Sequence, residues 1–156
     1  SQMDRFIMRL HLGYPGMEEE ITVLREQRAT SYLEQVTPVM SATELLAMQK
    51  AVDEVKMDED LLRYTVSIVA ATRNHPAIVL GVSTRGALAL RRAAQAKAFY
   101  EGRDYCVPDD IKSMVPHVLA HRIQLSRTYE SGGDSFLHEE ERQVLAQLVE
   151  DVEVPV

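Results

Sequence analysis

Hydrophobic positions along this chain of 156 residues recur mostly at helical spacing, with short extended stretches between them. At the start, Phe6, Met8, Leu10 and Leu12 alternate loosely with Arg9 and His11 until Gly13-Tyr14-Pro15-Gly16 ends the pattern. Period-two alternation closed by Gly and Pro predicts a short strand over residues 5–12 and then a turn. Glu18-Glu19-Glu20 precede Ile21, Leu24 and Arg28, which puts negative charge at the positive end of a helix running from Met17 to about residue 30. Thr37-Pro38 breaks that helix. Ser41-Ala42-Thr43-Glu44 is a capping-box pattern, and Leu45, Met48, Val52 and Val55 follow at helical spacing.

A third helix is expected from Asp58 to about Arg73, with Leu61, Leu62, Thr65, Val66, Ile68 and Val69 on a buried face and Asn74-His75-Pro76 as its stop. Beyond Ile78-Val79-Leu80 and Gly81, Ser83 opens a fourth helix that carries Leu88, Leu90, Ala93, Ala94, Ala98 and Phe99 up to Gly102. Its alanines allow close helix packing. Tyr105-Cys106-Val107 reads as a short extended piece, and Pro108 belongs in the first turn of a fifth helix, with Asp109 and Asp110 beside its positive end, reaching about Ala120. Residues 122–125 are extended in this reading and residues 130–134 form a flexible tip. A last amphipathic helix is marked by Leu137, Val144, Leu145, Leu148 and Val152. The expected fold class is mainly α, a helical bundle with a short strand at its N-terminal edge.

Composition narrows the function. With 46% hydrophobic residues the chain can build a core. Seventeen Lys and Arg against 24 Asp and Glu leave a net charge of −7, and no basic run interleaves with aromatics, so no nucleic-acid partner is expected. Trp is absent and aromatics make up 6%, which leaves few stacking platforms for bases. Cys106 is the sole cysteine, so an internal disulfide is excluded and a reducing, cytoplasmic compartment fits. No apolar run approaches the roughly 20 residues of a membrane-spanning helix, and membrane insertion is not expected. The chain begins with Ser1 and runs straight into the alternating segment, a start that fits a piece cut from a longer polypeptide.

Two arginines are candidates for chemistry. Arg85 lies in Gly81-Val82-Ser83-Thr84-Arg85-Gly86-Ala87, where Ser83 is a good N-cap; free backbone N–H groups, the helix dipole and a guanidinium would together suit a phosphate. Gly86 costs roughly 1 kcal/mol against Ala within a helix, which suggests that something approaches the backbone closely there. The competing reading is a solvated arginine at a helix start. Arg5, in Gln2-Met3-Asp4-Arg5-Phe6, leads into the expected edge strand and could reach across a subunit boundary as an arginine finger; its competing reading is a surface pair with Asp4. Ala51-Val52-Asp53-Glu54 resembles the acidic end of a Walker B strand, but Gln49 and Lys50 interrupt it and a capped helix explains it better. His117 and His121 have metal-sharing spacing without further ligands to complete a site, so no metal is expected, and Cys106 reads as a packing residue. No Gly-x-x-x-x-Gly-Lys-Ser/Thr run occurs, so the chain cannot cradle a triphosphate by the P-loop route.

The order of several segments nevertheless resembles the C-terminal part of the MoxR family of AAA+ ATPases. These are Gln2-Met3-Asp4-Arg5-Phe6, Gly13-Tyr14-Pro15, residues 71–76, residues 80–90, Gly102-Arg103-Asp104-Tyr105, residues 108–112 and residues 118–123. The resemblance implies that residues 1–14 are the C-terminal edge strand of an AAA+ core and that 15–156 are the helical lid. It implies that Arg5 is similar to the arginine finger (catalytic) and Arg85 to sensor 2 (nucleotide-binding), with Walker A, Walker B and sensor 1 lying upstream. The intact parent would use ATP and Mg2+, form a homo-oligomeric ring such as a hexamer, and act as a chaperone-like remodeller on a client protein, while this piece alone would bind neither cofactor. Thr84 and Gly86 depart from the family's usual Pro and Ala, and Val107 from a capping Thr, so fraying is expected at the start of the fifth helix. The alternative from another class is a stand-alone helical protein-interaction module with no nucleotide chemistry.

Overall fold

A computed structural model describes residues 2–26, 36–126 and 139–154. Among them are six α-helices: α1 (Met17–Glu26), α2 (Ala42–Glu54), α3 (Glu59–Asn74), α4 (Thr84–Tyr100), α5 (Pro108–Leu119) and α6 (Glu139–Asp151). Two short strands, β1 (Ile78–Leu80) and β2 (Gln124–Leu125), pair antiparallel with Ile78 opposite Leu125. Single 3-10 turns occupy Gln2–Arg5 and Ala120–Arg122. The mainly helical bundle expected from the sequence is therefore the fold. The helix expected over residues 27–30, the tip at 130–134 and Leu137 lie outside the described residues.

Polar side chains set the helix starts. Ser41 and Glu44 complete a capping box, the hydroxyl accepting the Glu44 N–H at 3.2 Å and the carboxylate accepting the Ser41 N–H at 2.7 Å. Asp58 accepts the Leu61 N–H at 2.8 Å and begins α3. At α5 Val107 supplies no side-chain cap, as its residue type implies, and Asp110, three residues into the helix, takes the Val107 N–H at 2.8 Å. That carboxylate is fully buried, and Arg103 meets it with two bonds of 2.7 Å in a bidentate fork. Arg103 is in turn held well above the usual arginine range, by Asp110 first and Glu101 second. Gly102 just before it has φ 78°, a left-handed turn after α4 that a side chain would strain.

The core is centred on α4, which packs on α5 and α3, while α6 closes over α5. Ile68, Leu90, Ile111, Leu119 and Leu145 are among its fully buried side chains. Val66, expected on the buried face of α3, is exposed, and Tyr64 and Thr72 are buried instead. α2 has no buried residue: Leu45 and Met48 stay exposed above an open apolar groove between α2 and α4, although Val55, just past the helix, is buried. Gln95 helps hold that junction by donating to the Val55 carbonyl at 2.7 Å.

The strand expected over residues 5–12 is not formed. The segment's backbone groups go to the bundle instead, Arg9 donating its N–H to the His117 carbonyl at 2.9 Å and the Phe6 and Ile7 carbonyls accepting from Arg122. No helix among the described residues is long and apolar enough to cross a membrane.

Cys106 is buried in the core, and burial pushes its thiol up to about 11, with the charge on Asp110 adding to the rise. The folded protein should therefore react with a disulfide reagent at pH 8 about a hundredfold more slowly than the same protein in denaturant, as thiolate absorbance would measure.

Candidate functional site

The start of α4 is pinned by the end of α3. Thr72 donates its hydroxyl to the Val69 carbonyl at 2.7 Å and accepts the Val82 N–H at 3.0 Å, while Arg73 Nε donates to the Val82 carbonyl at 2.8 Å. Ser83 then caps α4 by accepting the Gly86 N–H at 3.3 Å. This fixes the phase of the helix, and Arg85, Leu88 and Arg92, three and four residues apart, come to share one face.

The 3-10 turn Gln2–Arg5 lies against this helix start. Asp4 accepts from the Ser83 hydroxyl at 3.2 Å and from Arg122 Nε at 3.1 Å. The competing reading of Arg5, a surface pair with Asp4, is not what forms: Asp4 pairs with Arg122 instead, and its carboxylate sits against the Ser83 cap at the start of α4. Arg122 is almost wholly buried; its Nη1 donates to the Ile7 carbonyl at 3.2 Å and Nη2 to the Asp4 carbonyl at 3.3 Å, with closer contacts to the carbonyls of Phe6 and Val118. Burial pulls this guanidinium below the usual arginine range, Asp4 opposes the fall and the neighbouring Arg85 charge adds to it. Arginine remains charged across any ordinary pH.

Between the turn, α4 and the end of α2 opens a cleft of about 640 Å³. Arg5 and Arg85, chosen separately from the sequence, both line it, together with Arg91, Arg92, Arg122 and one carboxylate, Asp53. Among the described residues, the side chains of Arg5, Arg85, Arg91 and Arg92 take no hydrogen bond or ion pair. Exposed guanidinium groups gathered in a concavity, in a chain of net charge −7, make a local site for an anion with several oxygens, because each fork can meet two oxygens at once. The volume falls in the range of small-ligand clefts.

Asp53 ends up on the last turn of α2, as a helical reading of that segment requires, and faces the same cleft. His117 lies at the end of α5, and His121 in the following 3-10 turn has Nε2 2.7 Å from Arg122 Nη1. Gly86 does mark a close approach, but to protein: a Cβ there would stand 2.4 Å from Val82 Cγ1 and 3.0 Å from Arg122 Cδ. Sequence reasoning missed Asp4, Arg91, Arg92 and Arg122 as parts of the site. For Arg122 a signal existed, a lone charge among Val118, Leu119, Ala120, Ile123 and Leu125.

Comparison with known proteins places this geometry in a family. Residues 70–147, half of the chain, match the family model for the AAA lid domain, and the chain belongs to that family. The uncharacterized protein YeaC of Bacillus subtilis is 42% identical over 125 residues, which cover 80% of this chain and 39% of YeaC. Chaperone MoxR1 of Mycobacterium tuberculosis is 32% identical over 143 residues, 86% of this chain and 37% of that protein. A crystal structure described as a "putative ATPase" from Cytophaga hutchinsonii superposes with a TM-score of 0.82 at 33% identity, covering 99% of this chain and 48% of that one. These matches bear out the resemblance to the C-terminal portion of MoxR-family AAA+ proteins. The chain spans well under half the length of the two curated relatives.

Substituting Gly86→Ala should destabilise the fold. The helix-propensity gain of about 1 kcal/mol is outweighed by overpacking of about 1–3 kcal/mol against the buried Val82, so chemical denaturation should show a net loss of up to about 2 kcal/mol with an unchanged m-value.

Proposed function

We propose that the chain is the lid of a MoxR-type AAA+ ATPase, with residues 1–14 ending the ATPase core and residues 15–156 forming the lid, and that the intact protein couples ATP hydrolysis to chaperone-like remodelling of a client. Arg85 acts as sensor 2 and Arg5 as the arginine finger. The observation that carries this reading is the meeting of the two in one cleft, without competing carboxylate bonds on either side chain among the described residues. In phosphoryl transfer the protein's main work is to place positive charge where the equatorial oxygens gain negative charge, and unpaired guanidinium groups can do this without first breaking an ion pair.

Because Arg5 and Arg85 open on the same space, one triphosphate meets both. A finger serves the neighbouring subunit's nucleotide in a ring, so Arg85 on the same wall is directed to that nucleotide as well. Magnesium and the remaining phosphate contacts come from polypeptide outside this chain, which has no P-loop. The open apolar groove between α2 and α4 favours a second reading, a helical interaction module without nucleotide chemistry.

Turnover of ATP by the full-length protein separates the two. Arg5→Ala should lower kcat by at least about a hundredfold, in keeping with the weight such a guanidinium carries, and Arg85→Ala should lower kcat/KM clearly. Full turnover in both variants would remove the nucleotide reading and leave the interaction module.

A further inference from the structure

We infer that Arg122 is a positioning residue: through Asp4 and the carbonyls around Arg5 it locks the finger segment to the lid, so that Arg5 and Arg85 move as one body. This rests on the reading of Arg5 and Arg85 as phosphate-directed. Arg5 ends a single 3-10 turn that has no strand pairing, and an exposed, unpaired arginine side chain there has wide rotamer freedom. The residues on both sides of it are fixed by a single guanidinium, which takes the Asp4 side chain and carbonyl before it and the Phe6 and Ile7 carbonyls after it. Arg5 is thus the unheld side chain at the centre of a held segment.

The same carboxylate joins this segment to α4. Asp4 accepts from Ser83, the cap of α4 and two residues before Arg85, and Arg122 Cδ packs beneath Gly86, the residue after it. A path therefore runs from Arg5 along the chain to Asp4, by hydrogen bond to Ser83 and on to the first turn of α4 that carries Arg85, with Arg122 bonded to Asp4 and packed against Gly86. If the lid turns when the nucleotide changes, the finger turns with it, and the two charges keep their spacing. Such pre-set geometry is what allows a group to act on a transition state without reorganising at the moment of reaction. Lysine could not substitute, because one ammonium with three donors cannot reach acceptors spread around a planar fork.

The test uses the full-length protein with Asp4→Asn and Arg122→Lys, beside the Arg5→Ala and Arg85→Ala references. Nitroxide labels at Phe6→Cys and Val66→Cys, both exposed positions, report the spread of distances between the N-terminal segment and α3. Asp4→Asn and Arg122→Lys should lower kcat about tenfold to a hundredfold at unchanged KM for ATP, as expected when a reacting group is misplaced by about 1 Å, and should broaden the distance distribution at temperatures well below a melting temperature that the loss of the buried pair lowers. Wild-type kcat and a narrow distribution in both variants, with kcat lost in Arg5→Ala, would overturn the positioning role and leave the function standing. A fall in kcat that merely tracks a fall in melting temperature, with the distribution still narrow, would also overturn it. Full turnover in Arg5→Ala and Arg85→Ala would overturn the function and this inference together.

Discussion

A guanidinium taken out of water must find an acceptor for each of its donors, and in this protein that requirement decides where the N-terminal segment lies. Arg122 follows α5 in an otherwise apolar stretch whose neighbours are all buried, so its charge is carried into the core by the packing around it. The acceptors come from the Asp4 carboxylate and from the backbone carbonyls of Asp4, Phe6, Ile7 and Val118. Those carbonyls lack strand partners, so each side supplies what the other needs. Breaking such an arrangement leaves a buried charge unmet, which is costlier than the arrangement is stabilising.

The rest of the lid holds that interaction in place by the same means at other points. α4 begins where Thr72 and Arg73 of α3 fix Val82, and α5 begins where Arg103 and Asp110 fix Val107. The first start is set by polar groups of a neighbouring helix, the second by a residue of α5 itself that Arg103, from the turn after α4, holds in place. One wall of the arginine cleft is α4, whose opposite face carries Leu90, Ala93, Ala94 and Ala98 into the core. The alanines bring α5 near, and the arginines are left on the open side.

α2 behaves differently. Its start is well capped, yet its apolar residues are largely uncovered, and the groove it forms with α4 adjoins the arginine cleft through Ile7, Asp53 and Arg92. Ile21, Val23 and Leu24 of α1 are exposed as well. The part of the protein before α3 is thus much less buried than the bundle from α3 to α6, and its sequence pattern, as amphipathic as that of the buried helices, gives no hint of the difference.

Most helix positions were legible because local chemistry set them: Ser41, Asp58 and Ser83 cap the helices they were expected to cap, and Gly102 and Pro108 punctuate the chain where they were expected to. Arg5 and Arg85 could be singled out by motif resemblance, since each lies in a short recognisable run. Whether they meet was not legible, because that depends on groups far apart in sequence. The strand expected over residues 5–12 failed for the same reason. Alternation proposes a strand, but a partner edge must accept it, and the bundle offers hydrogen-bond partners of another shape. By itself, then, the order of residues determined the helices, their caps and the identity of the two candidate arginines. Tertiary structure alone decided that Asp4 pairs with Arg122 rather than Arg5, that Gly86 makes room for a side chain rather than a ligand, and that one cleft gathers the charges. Desolvation and pairing act through space, and only the folded chain specifies which groups are neighbours there.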